Sequence, residues 1–367
     1  QPTKPVYAFD NLPKAEAERG QQLLAELQQT EQQLKILQNS TKAYVGTFAQ
    51  PGPTRLFYRG DPESPRDAVR PGALAKFVSL KIDAKTSEQK RRLALADWIV
   101  SDTNPLARRV IVNRIWQHHF GAGLVDTPND FGRNGVAPTP PPPPDSLPPT
   151  FVSDGASPKQ LRRRILLTQT WQQSSRPHAK ALKIDAASRL LWRFPTRRLE
   201  AEAIRDSMLH ASGVLDLKMG GPGFSGFEVQ MENVRHFFPK KNYGPADWRR
   251  MVYMTKVRQE QESVFGAFDC PDASQGVPKR SRSTTPLQAL NLLNSSFVMQ
   301  QAGLFAKRLQ NDAGEDLHQQ ITRAFTLCFN RPPNDSELMD ATAFIKTESL
   351  PAFTRAMLNS NEFLFVP

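Results

Sequence analysis

The chain has 367 residues, with 48 Lys and Arg against 36 Asp and Glu, for a net charge of +12. Hydrophobic residues make up 39%, and no apolar run approaches the ~20 residues that span a bilayer, so a membrane-spanning helix is excluded. The 20 Gly exclude collagen and the 2 Cys exclude a disulfide scaffold, while 22 Phe and 5 Trp are ample for a packed core. The length allows about two domains. The chain opens at Gln1 and no charged, apolar leader follows. That fits a cytosolic protein or a piece of a longer exported one. Cys270 and Cys328 are too distant for a C-x-x-C motif and read as buried thiols.

Taken in chain order, residues 13–39 predict one helix. Leu23, Leu27, Leu34 and Leu37 form an a/d seam, too short for a free coiled coil and suited to packing on a neighbouring helix. A short strand is expected over 54–59, stopped by Gly60-Asp61-Pro62, and the irregular stretch to residue 75 reads as a linker. Residues 1–75 are thus a helix and linker, and 76–367 a helical domain. Thr86-Ser87-Glu88-Gln89 reads as a capping box for a helix ending near Ser101. Asn104 and Pro105 open a second helix that ends at Gly121, and Ser157-Pro158 open a third. Further helices are expected from about 197 to 212, from Thr285 to about 310, across 317–328, and at about 335–348 and 350–359. The fold class is mostly α: a multi-helix domain with a long irregular insertion, preceded by an N-terminal helix and linker.

The insertion, 214–283, is rich in Gly, Pro, aromatics and charge, which makes it the place to look for a site. Asp269 and Asp272, then Lys279, Arg280, Arg282, Thr284 and Thr285, lead into the Pro286 helix. They predict either an anion site at a helix N-terminus or an ion network in which the cations pair with the two aspartates. Cys270 could act as a nucleophile only beside an activating base, which the sequence does not identify. Asn113, Arg114, Trp116 and His118 form a polar cluster on one helix. Adjacent His118 and His119 point about 100° apart, so hydrogen-bonded structural roles come before metal binding. Glu202, Asp206 and His210 share a helix face at four-residue spacing, but without further ligands they read as a solvated, Arg-laced face, and no metal site is assigned. Gly220 to Gly223 lack the Lys-Ser/Thr ending of a phosphate loop and read as a turn. No C-x-x-C-H is present, so no haem is attached by this chain. The basic residues come in doublets scattered among acids. They would attract an acidic polysaccharide, an acidic protein or an anionic surface as readily as nucleic acid, for which no motif is present.

Several longer motifs resemble one family. They are residues 92–99 (RLALADWI), 104–110 (NPLARRV), 113–116 (NRIW), 130–132 (DFG), 198–206 (RLEAEAIRD), 283–290 (STTPLQAL) and 358–363 (LNSNEF). Together they resemble the planctomycete-specific C-terminal domain of unknown function found in planctomycete cytochrome-c-domain proteins. The resemblance implies an exported protein, periplasmic or at the cell surface, with a c-type haem in a separate N-terminal domain and none in this chain. It implies the preceding domains of the same polypeptide as partners, and a sulfatase-like secreted protein nearby. It supplies no catalytic residues. The expected role is a binding or scaffold module in a surface complex, with acidic polysaccharide as a candidate partner. The alternatives are an enzyme acting on acidic or sulfated polysaccharide with a site in 214–285, and a basic nucleic-acid-binding protein. Residues 138–149 hold eight prolines in twelve residues, which taken literally form a polyproline II spacer. The family has a helix there, matched by Thr139, Pro141, Asp145 and Leu147, so the resemblance implies a helix over 142–151.

Overall fold

The computed structural model describes residues 7–9, 11–38, 46–74, 79–139, 147–258, 260–262 and 264–366. It divides into two compact units, Gln1–Asn104 and Pro105–Pro367. Helices dominate, as the capping signals imply. Among the described residues no helix is long and apolar enough to cross a membrane.

In the first unit, α1 (Lys14–Gln38) buries none of its residues, and the seam leucines Leu23, Leu27, Leu34 and Leu37 are all exposed. Phe9 lies against Gly20 so closely that a Cβ there would stand 2.5 Å from the ring. The short strand exists as β1 (Arg55–Phe57), paired antiparallel with β2 (Pro65–Ala68). Arg66 stacks over the Tyr58 ring at 4.1 Å. Helix α2 (Glu88–Val100) begins where expected, but the Thr86 capping box does not form. Ser87 is the N-cap, with no side-chain cap bond. Instead Arg91 reaches back to the carbonyls of Ala84 and Thr86, at 2.6 and 2.7 Å, and ties down the chain before the helix.

The second unit carries two hydrophobic clusters. The smaller joins α3 (Pro105–Phe120), α4 (Leu147–Ser153), α5 (Pro158–Leu166) and the Trp171 turn α6 (Gln169–Gln172). Its centre is Trp116 on Phe120 at 4.4 Å and Trp171 edge-on to Phe194 at 5.1 Å. Ser157 caps α5 as its sequence predicts, accepting from the Gln160 N–H. In the proline tract, residues 140–146 lie outside the described residues. From Leu147 on the chain is helical, with Pro148 and Pro149 in the first turn, where backbone N–H groups have no intrahelical partner to lose. The short α7 (Ala179–Ile184) follows.

The expected helix from 197 splits. Arg197 and Arg198 form β3 (Arg197–Arg198), paired with the chain's last strand, and α8 starts only at Ala201 (Ala201–Ser212). It closes on Gly213 in the left-handed region at φ 81°, as a C-terminal glycine should. The larger cluster packs α8 against α9 (Pro286–Asn294), α10 (Ser296–Ala313), α11 (Leu317–Phe329), α12 (Asp335–Thr347), α13 (Leu350–Asn359) and α14 (Asn361–Leu364). The capping box of Thr285 and Gln288 is present. The single helix expected to about 310 is, however, two. Ser295 is extended (φ −66°, ψ 143°), and its side chain accepts from Val298 N–H, capping α10 afresh. A serine gains more as a cap than in a helix interior. Helix α10 runs through the centre of this cluster, with Phe297, Val298, Gln301, Ala302, Phe305, Ala306 and Leu309 buried. Gln301 accepts from the Ser212 hydroxyl at 2.7 Å.

The irregular insertion holds one hairpin, β4 (Phe227–Met231) with β5 (Arg235–Pro239), and the chain ends on β6 (Phe365–Val366), the partner of β3. The rest of the insertion is organised by buried guanidiniums. Arg205 donates to the carbonyls of Arg249 (2.8 Å) and Asp247. Arg249 donates to those of Lys218 (3.0 Å), Gly220 (2.6 Å) and Pro222, and lies 3.9 Å over the Tyr253 ring. The glycine run is therefore a turn wrapped around Arg249. The insertion's aromatics Phe265 and Phe268 belong to the core.

Truncating Leu309, which is 0% exposed, to Ala should lower the unfolding free energy by about 2–5 kcal/mol. Ile184→Ala, at an 83% exposed position, should change it by less than about 0.5 kcal/mol. Urea unfolding of the two variants checks this packing.

Candidate anion-binding cleft

A cleft of about 500 Å³ opens between the last turns of α3, the β3–α8 junction and the loop leading to α9. Arg114 and His118, four residues apart, stand on one exposed face of α3. Arg197 joins them by donating to the His118 carbonyl at 2.8 Å. From the loop come Lys279, Arg280 and Arg282. Gly121, at the end of α3, has φ 84°, which favours glycine, and a Cβ there would stand 2.8 Å from Arg282 Nη1 and push the guanidinium from its present place. Two guanidiniums thus gather at the negative end of the α3 dipole.

The cations differ in how they are neutralised. Lys279 pairs with Asp126 at 2.6 Å. Arg280 grips Glu202 with two bonds of 2.7 and 2.8 Å, and Glu200 lies 4.0 Å away. Burial would raise the Glu202 pKa, but Arg280 outweighs it and holds the carboxyl below its ordinary value. Arg114 reaches only the neutral Asn129 amide at 3.1 Å. Among the described residues neither Arg197 nor Arg282 has a carboxylate at ion-pair distance. Burial, and after it the charge of Arg282, lowers the Arg197 pKa, with Glu200 opposing.

Lys279, Arg280 and Arg282 come together with Arg114 and His118 in one cleft, but none of the cations expected to pair with Asp269 or Asp272 does so. Asp269 (φ 60°) instead accepts from Arg198 Nη2 at 2.6 Å, from Ser283 N–H at 2.9 Å and from the Ser283 hydroxyl at 2.8 Å. Burial opposes ionisation of Asp269, and the Ser283 and Arg198 hydrogen bonds overcome it, so its pKa lies below the ordinary value. Arg198 also donates to Gln288 Oε1 (2.7 Å) and to the Ser283 carbonyl. Gln288 donates to the carbonyl of Ala267 (2.9 Å) and completes the Thr285 cap. Asp272 is occupied by the N–H and hydroxyl of Ser274 (2.9 and 2.7 Å), a local turn that leaves it outside any network. Thr284 is exposed.

Asn113 and Trp116 are structural. Asn113 clamps Val125 through both backbone groups, at 2.9 and 2.8 Å, and Trp116 is in the core. Along α8, Glu202 faces Arg280, Asp206 accepts the Met251 N–H at 2.7 Å, and His210 is exposed. Arg197, Glu200 and Gly121 escaped the sequence reading. The Arg197-Arg198 doublet was the available signal, but it does not reveal that one member enters a cleft and its neighbour a buried knot.

In Asp269→Asn, the knot loses its charge, and stability should fall by about 3 kcal/mol at neutral pH. Because the folded-state pKa is depressed, the wild-type contribution is full above the ordinary Asp pKa and fades as pH falls through the lower folded value. The variant should lack that acid-side decline in urea-unfolding free energy measured against pH.

A family model described as PSD1, protein of unknown function (DUF1553), matches residues 91–345. No curated protein and no solved structure matches the chain.

Proposed function

We propose, for a chain that belongs to the PSD1 (DUF1553) family, that its helical domain is a binding module that captures an acidic polysaccharide in the α3–β3 cleft. The observation that carries this reading is the pair Arg197 and Arg282, two guanidiniums brought to one cleft without a carboxylate partner among the described residues. Placing like charges together is unfavourable unless something anionic shares the site. Arg forks suit the paired oxygens of carboxylate and sulfate groups.

The wider setting we propose rests on the order of the sequence motifs alone. In it the chain is the C-terminal part of an exported planctomycete protein, periplasmic or at the cell surface. Its partners are preceding domains that include a c-type haem domain, and a sulfatase-like secreted neighbour. A second reading, an enzyme on the same polysaccharide, is favoured by Glu200 and His118, two proton-transfer groups that line the cleft.

The test uses dextran sulfate and polygalacturonate as probes, neutral dextran as control and duplex DNA as competitor. Arg197→Ala and Arg282→Ser should each weaken binding of an acidic glycan about tenfold, and together should reduce the salt slope by about two. Arg162→Ser with Lys183→Ser, exposed on α5 and α7, should leave binding unchanged. Equal losses from both pairs would reduce the binding to general charge. Tighter binding of DNA, lost in the Arg197 and Arg282 variants, would move the reading to nucleic acid.

A further inference from the structure

Behind the cleft, Lys256 and Cys270 are in direct contact. Lys256 Nζ stands 2.9 Å from Cys270 Sγ. The thiol is also 3.7 Å from Glu202 Oε1, the carboxylate that Arg280 holds with two hydrogen bonds. Glu202 is thereby fixed, and its negative charge favours the ammonium beside the sulfur. Cys270 is 5% exposed, next to Asp269 in the Arg198 knot, so the sulfur is held in place while the lysine reaches it from an exposed position. Both residues line a void of about 10 Å³, close to the least that admits one water-sized molecule.

We propose that Lys256 and Cys270 are a modification site, cross-linked through a single oxygen as an N–O–S bridge by reaction with dioxygen. The thiol S–H bond, two ammonium N–H bonds and the O–O bond break; S–O and O–N bonds form, two of the freed hydrogens form the O–H bonds of water, and the third leaves as a proton. In balanced form, R–SH + R′–NH3+ + O2 gives R–S–O–NH–R′ + H2O + H+. Sulfur and nitrogen each give up two electrons, and dioxygen takes all four, leaving one atom in the bridge and one as water. The present sulfur–nitrogen separation exceeds what one bridging oxygen spans by only a few tenths of an ångström, whereas a direct S–N bond requires the two atoms to move together by more than an ångström. Burial, the largest influence on the thiol, raises its pKa, which suppresses the free thiolate and with it the ordinary route to sulfinic and sulfonic acids. The proposal does not depend on what the cleft binds.

The experiment compares the full chain kept in air-saturated buffer with the same chain kept anaerobic, by intact mass and peptide mapping. The aerated protein should gain the mass of one oxygen less two hydrogens, on a linked pair of peptides containing Lys256 and Cys270. Cys270→Ser and Lys256→Arg should both abolish the gain, and Cys328→Ser should retain it. Lys256 is exposed, so its variant keeps the test valid even if the buried Cys270 variant fails to fold. No gain in air, a gain that survives Lys256→Arg, or a loss of two hydrogens without oxygen would each overturn the proposal.

Discussion

The second unit depends on one guanidinium, that of Arg198. It is buried, and its hydrogen bonds reach three separate pieces of chain: Asp269 and Phe268 in the insertion, Ser283 in the loop before α9, and Gln288 within α9. Its own backbone is paired with the C-terminal strand. A buried cation with one carboxylate and several carbonyl and amide acceptors is tolerable only when those partners are all in place. The loop carrying Lys279, Arg280 and Arg282 is therefore fixed at its two ends, by Asp269 and by Ser283. The geometry of the cleft follows from an interaction outside it.

The same device recurs through the insertion. A long segment with little regular structure must find donors for its carbonyls elsewhere. Arginine supplies five N–H donors in a planar fork, and here Arg205 and Arg249 direct theirs to backbone oxygens of residues 218–249. Three arginines, Arg198, Arg205 and Arg249, are thus buried framework. The buried carboxylates Asp247 and Glu262 offset most of that buried charge, so the surface stays strongly cationic, and the small set around α3 is the part of it gathered in a cleft.

Sequence signals were most legible where one residue type has one local job. Ser157 with Pro158, Thr285 with Gln288, and Gly213 after α8 mark helix ends by chemistry that acts over three or four residues. Ser295 shows the limit, because a serine inside an apolar helical pattern can restart a helix without breaking the pattern. The β3–β6 pairing joins Arg197 and Arg198 to the far end of the chain, at Val366 and Phe365, and nothing in Arg197-Arg198 announces it. The hairpin strand FEVQM does alternate apolar and polar residues, a strand signal present in the sequence and passed over, whereas its partner RHFFP does not alternate and the turn between them has no glycine. The cleft was legible only in halves. Arg114 and His118 are near neighbours in sequence, as are Lys279, Arg280 and Arg282, but the tertiary fold alone joins the two groups and adds Arg197.

Gly121 carries a consequence of its own. It has no side chain to offer a ligand, yet it leaves the room in which Arg282 rests against the end of α3. A larger residue there would combine an unfavourable backbone conformation with displacement of the guanidinium. A chain that gave up the arginine at 282 would lose one of the two reasons for glycine at 121 and keep only the turn. In related sequences the two positions should then drift together, so that the history of the cleft is written in part at a residue that brings it no side chain.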